Sequence, residues 1–222
     1  MKVKWLAAIA GAVAVVFTSG IIHAVPYSFE SITNNSAANA AIGAAQLWVD
    51  VTGSGSTATF TFHNDGPAQC TISEIFFDDG HILGSTMSIV SPTGVSFVQG
   101  PNNGVLPGGN TIGFETSEYF NGTGYYDAQA TNPAPKSGVN PGETVAITFS
   151  LINGNTFEQV ISDLDSPDDL LRVGLHVINF ANGGSEAFVN NGAPVPEPGT
   201  MILLGTGLIG LAGLRKKLAK QD

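Results

Sequence analysis

Residues 143–151 read ETVAITFSL. Val145, Ile147, Phe149 and Leu151 alternate with Thr144, Ala146, Thr148 and Ser150. A period of two puts the first set on one face of an extended chain and the second on the other, the mark of a strand buried on one side. The same alternation runs through residues 57–64, TATFTFHN, where Ala58, Phe60 and Phe62 share a face against Thr57, Thr59 and Thr61. In residues 170–180, LLRVGLHVINF, it gathers Leu171, Val173, Leu175 and Val177. Further strand candidates are AAQLWVDV, TISEIFF, HILGSTMSIV, GVSFVQ, TIGFE and SEAFV. Turn clusters separate them: NDGP at 64–67, DDG at 78–80, LPGGN at 106–110 and VNPGE at 139–143. Many short strands at this spacing predict an all-β body, an antiparallel two-sheet β-sandwich of jelly-roll-like form. One short helix is expected at NTFEQVISDLD, residues 155–165, with Asn155 and Glu158 at capping-box spacing and Phe157, Val160, Ile161 and Leu164 as its apolar stripe.

Composition agrees. The chain has 222 residues, 28 Gly, 12 Pro and 43% apolar residues, a mix that favours strands and turns while still filling a core. Its formal net charge is −10. Between residues 25 and 195 only Lys136 and Arg172 are basic, against 16 acids, so the body carries a net −14. A phosphate backbone would repel it, which argues against nucleic acid as a partner. Cys70 is the single cysteine, so no intrachain disulfide and no C-x-x-C site can form, and it reads as a small buried residue.

The ends are built differently. Lys2 and Lys4, an apolar run from Trp5 to Phe17 and a more polar stretch to Ala24 have the layout of a Sec signal peptide, with cleavage expected after Ala24. At the other end, MILLGTGLIGLAGL at 201–214 extends to a transmembrane helix at about 200–218. Arg215, Lys216, Lys217 and Lys220 follow as a cytoplasmic stop. The chain thus divides into a signal peptide at 1–24 with its helix, an exported body at 25–192, and a tail at 193–222.

Pro196-Glu197-Pro198-Gly199-Thr200, the Gly-studded span and the Arg-Lys-Lys cluster together resemble a PEP-CTERM sorting signal. The resemblance implies export across the inner membrane of a Gram-negative bacterium, of a group that often makes exopolysaccharide. It implies an inner-membrane-anchored intermediate, recognition by exosortase through Pro196, Glu197 and Pro198, and then release or attachment at the surface. The residues suit that role. Each proline fixes φ and lacks an N–H, holding an extended peptide that an enzyme can grip. The preceding VNNGAPV, residues 189–195, reads as a flexible, turn-rich linker. The body too resembles a recurring type of PEP-CTERM-tailed protein, on FTFHNDG, ISEIFFDDGHIL, VSFVQG, LPGGN, VNPGETVAITFSL and LRVGLHVINFANGGSEAFVN. That likeness implies fold and export, and no mechanism.

No nucleophile elbow, zinc-protease motif, P-loop or EF-hand loop is present. No catalytic residue, metal ligand or cofactor is assigned. His63 with Asp65 and His81 with Asp78-Asp79-Gly80 are weak metal candidates; DDG reads instead as a hairpin turn. Asp163, Asp165, Asp168 and Asp169 read as a solvated loop. Tyr119, Tyr125 and Tyr126, with Phe120, stand in a Gly-rich loop, SEYFNGTGYYDAQ, where aromatics can stack on sugar rings or cover a sheet edge. The sequence therefore predicts a non-catalytic cell-surface or extracellular-matrix protein of structural or binding type. Its expected partners are the Sec machinery, exosortase, the membrane and exopolysaccharide. Two alternatives stay open, a carbohydrate- or calcium-binding adhesin and a secreted hydrolase.

Overall fold

The computed structural model describes residues 24–79, 81–100, 104–116 and 127–194. Among these, ten strands form one antiparallel sheet. In chain order they are β1 (Val25–Ser31), β2 (Leu47–Ser54), β3 (Thr57–Asn64), β4 (Thr71–Asp79), β5 (Leu83–Val90), β6 (Phe97–Gln99), β7 (Asp127–Ala130), β8 (Glu143–Leu151), β9 (Leu171–Ile178) and β10 (Glu186–Pro194). Their spatial order is β5-β8-β3-β2-β1-β10-β9-β4-β7-β6. Three helices accompany them: α1 (Ala37–Gln46), α2 (Ala134–Ser137) and α3 (Phe157–Leu164).

The alternating faces lie where the pattern puts them. Phe60, Phe62, Val145, Ile147, Phe149, Val173, Leu175 and Val177 are all fully buried. The sheet itself is curled. Five pairing steps separate β3 from β4, about 24 Å along a flat sheet at strand spacing. Yet the ring centroids of Phe60 and Phe77 are 5.1 Å apart, and those of Phe77 and Phe149 are 4.8 Å apart, both edge to face. The sheet therefore folds over on itself, and its two halves share one aromatic core. Register slips punctuate the sheet, by two residues between Tyr27↔Pro194 and Phe29↔Asn190 in β1 and β10, and again in the pairs β4–β9 and β5–β8. Extra residues on one strand increase local twist and bend the pair.

Several expectations need correction. The DDG turn does not make a hairpin: β4 pairs with β9 and β7, while β5 pairs with β8 at the far edge. Asp79 instead accepts the N–H groups of Ile82 and Leu83, turning the chain toward the other half of the sheet. TIGFE is a 3-10 turn, Gly109–Ile112, followed by loop. α3 begins after Thr156, not Asn155, whose side chain donates to the His81 carbonyl. VNNGAPV is no loose linker as far as Pro194, because β10 continues to that residue and pairs with β1.

α1 was not expected. Ser36 caps it by accepting the Asn39 N–H, and buried Glu186 accepts the N–H groups of Asn35 and Ser36 at 2.9 and 2.6 Å. Backbone N–H groups at a helix start suit a carboxylate, since they would otherwise lack partners. Gly43 lets the helix lie directly on the ring of Phe188 in β10.

Candidate functional site

The outer face of β9, β4 and β7 carries the densest chemistry outside the core. The register sets Asp78 opposite Arg172, Phe76 opposite Gly174 and Glu74 opposite His176, with Asp127 and Gln129 continuing the rows on β7. Directly opposed residues on antiparallel strands share a face, so these side chains form one surface.

Arg172 organises one end of it. Its guanidinium pairs with Asp78, with Nε donating to Oδ2 at 3.0 Å. Nη1 and Nη2 donate to the carbonyls of Ile112 and Gly113 at 2.9 and 2.6 Å, and the group lies over the Phe114 ring at 5.2 Å. A planar fork of donors can serve a carboxylate and two carbonyls at once, which an ammonium cannot. Arg172 thereby holds residues 104–116 down on the sheet. Gly174 makes that contact possible, since a Cβ there would come within 2.6 Å of Leu106. Leu106 and Phe114 join Phe76, Ala187 and Val189 in a second small core on this outer side.

At the other end lies a groove of about 450 Å3 lined by Ser73, Glu74, Gln129, Thr131, Asn132 and His176, with Val98 and Ile178 beside them. His176 Nδ1 is 2.7 Å from Glu74 Oε2. Beside it, Asp127 is buried, and desolvation together with the nearby Glu74 charge pushes its carboxyl up to about 6.

The residues singled out from the sequence scatter. His63 stacks on Trp48 at 3.8 Å on the outer face of β2 and β3, and Trp48 donates its indole N–H to Asp65. Burial lowers the His63 pKa against the pull of Asp65 and Asp50. His81 is exposed. Asp165 accepts from the Tyr27 hydroxyl, Asp163 from Gln159, and Asp169 from Arg172, so these acids are used in local structure. Cys70 is buried and accepts from Gln46 Nε2 at 3.0 Å. Tyr119, Tyr125 and Tyr126 lie outside the described residues, as do Pro196, Glu197, Pro198, Arg215, Lys216, Lys217, the signal segment through residue 23 and the expected transmembrane helix. Among the described residues no helix is long and apolar enough to cross a membrane. The outer-face groove was missed from sequence because its members come from β4, β6, β7, β9 and the residues after β7, which no local pattern joins.

β10 brings the chain to its second functional feature. Val25 opens β1, Pro194 closes β10, and the two strands run antiparallel side by side, so both exits from the body lie at the same end of the sheet. Comparison with curated proteins and with solved structures returns no match. Residues 194–217 match the family model for the PEP-CTERM protein-sorting motif. The chain is therefore a protein bearing a PEP-CTERM sorting motif, whose first residue is the last residue of β10.

Proposed function

We propose that this is an exported, exosortase-processed protein whose β body acts at the cell surface or in the extracellular matrix as a structural or binding module, without catalytic activity. The sorting motif at residues 194–217 carries the reading. In it Pro196, Glu197 and Pro198 are the recognised residues, and Arg215, Lys216 and Lys217 hold the tail's far end in the cytoplasm. The Sec machinery delivers the chain, and an inner-membrane-anchored intermediate precedes release or surface attachment. The body is one curled antiparallel sheet in place of the expected two, and its facing halves, which share one core, are what favours reading its packing as sandwich-like. Deleting Pro196 to Pro198 tests the assignment: a longer, membrane-held form should accumulate, and unchanged processing would refute it.

A second reading, a carbohydrate-binding adhesin, is favoured by the outer-face groove. Its amides, hydroxyls, carboxylate and imidazole stand beside the aliphatic Val98 and Ile178. Such a lining offers hydrogen bonds to hydroxyls and an apolar surface to ring carbons, as an exopolysaccharide would require. Tyr119, Tyr125 and Tyr126 supply the stacking rings in this reading. Binding to neutral polysaccharide that survives both Gln129→Ala and the paired Tyr125→Ala, Tyr126→Ala changes would sink it.

A further inference from the structure

Asp127 opens β7 and is 4% exposed. Its Oδ1 is buried without a hydrogen-bond partner, and no salt bridge among the described residues joins the carboxyl group to a basic side chain. What surrounds it is apolar or main chain. Phe76, opposite Asp127 in the register, is buried in the second small core. The Gly100 N–H donates to the Asp127 carbonyl at 2.9 Å, and a Cβ on Gly100 would run into the carboxyl group itself. A Cβ on Gly104 would stand 2.7 Å from Oδ2 and 2.8 Å from the Phe76 ring. Two residues without side chains thus let the chain after β6 close over a buried acid.

The described charges around Asp127 do not compensate it. On β4, Glu74 adds a second negative charge one register pair along, and Asp78 is held by Arg172 of β9. His176 of β9 pairs with Glu74. β6 carries no charged residue, Glu115 is the one charged residue in 104–116 and is exposed, and Lys136 of α2 is exposed. A buried carboxyl group with an unused oxygen and no cationic partner avoids the cost of ionisation by keeping its proton. We propose that Asp127 is a proton-held latch: neutral, it lets Gly100 and Gly104 close over it and keeps the β6–β7 wall of the groove in place; ionised, it releases that wall. β6 supplies Val98 to the groove, and β7 supplies Gln129 and Ala130. The two strands are three and four residues long, and β7 joins β6 to the rest of the sheet through β4, so few backbone bonds oppose release. Desolvation, with Glu74 nearby, raises the closed-state carboxyl from 3.8 to about 6. The closed edge therefore binds the proton more tightly than an open, hydrated one, and closure weakens as pH rises through about 6.

The test follows amide hydrogen exchange of the full chain in detergent between pH 5 and pH 8, corrected for intrinsic rates, at residues 97–100 and 128–130. Opening of this edge should become about ten-fold more frequent over that interval. Asp127→Asn keeps the shape and cannot ionise, so at pH 8 it should hold the protection that the parent has at pH 5. A histidine can change charge over the same interval, so His176→Gln is the control and should retain the parent's pH dependence. If Asp127→Asn does not fold, the 13C carboxyl resonance of Asp127 in the parent decides, with a midpoint near 6 expected. Opening that does not vary with pH in the parent would overturn the proposal. So would a pH dependence that survives in Asp127→Asn or vanishes in His176→Gln, or a carboxyl midpoint at the ordinary value of about 4.

Discussion

Tyr27 and Pro194 face each other across β1 and β10, beyond the point where the register between these strands slips. Tyr27 is fully buried, and its hydroxyl donates to Asp165 at 3.0 Å. The sorting motif thus starts on a strand anchored beside a core residue, with little free chain between body and Pro196.

Six Gly/Ser residues inserted after Pro194 should therefore leave the melting temperature of the body unchanged and speed tail removal. Pulse-chase of the exported chain checks this. Slower processing with the insert would show that the enzyme needs the body close to its cutting site.

Arg172→Ala leaves Asp78 and the carbonyls of Ile112 and Gly113 without their shared donor. The expected loss is about 3 kcal/mol in urea unfolding, the scale for breaking a mostly buried ion pair. Arg172→Lys should recover only a minor part, because one ammonium cannot reach all three acceptors. Gly174→Val should release residues 104–116 from the sheet by colliding with Leu106, and early proteolytic cleavage there would report it.

His63 gives a pH dependence. Burial holds its folded-state pKa below the unfolded value, so the unfolded chain takes up the proton first as pH falls. The stability tied to neutral His63 is complete above the unfolded value near 6.5 and declines as pH drops through that value toward the folded one. His63→Phe should flatten this part of the curve. Because His63 stacks on Trp48, tryptophan emission followed against pH should report the ring's protonation with a midpoint below 6.5.

Cys70 should resist thiol reagents in the folded protein. Burial pushes its thiol up to about 11, against hydrogen bonds from Gln46 and Asn64. A colorimetric disulfide reagent at pH 8 should find almost no thiol in the native chain and one per chain in urea. Rapid native labelling would show that the Gln46–Asn64–Cys70 cluster opens readily.

Strand alternation was legible because it depends only on a period of two, and Ala58, Phe60, Phe62, Val145, Ile147 and Phe149 are buried as that period requires. α1 was missed because AANAAIGAAQ has almost no apolar stripe; its signal was the Ser36 cap before an alanine-rich run. β7 was missed because Asp127, Ala128, Gln129 and Ala130 give little strand propensity and depend on β4 for pairing.

By itself the sequence determined which residues face inward on β3, β8 and β9, and it carried the sorting motif at residues 194–217. Both are local, one set by backbone periodicity and the other by a short string that another protein reads. Only the tertiary structure decided that Phe60 meets Phe77, that Arg172 serves Asp78 and the carbonyls of Ile112 and Gly113, and that Asp127 is buried between two glycines. These relationships depend on which strands pair and on how far the sheet curls. Pairing order is set by the packing of the whole core, so no single stretch of the chain contains it.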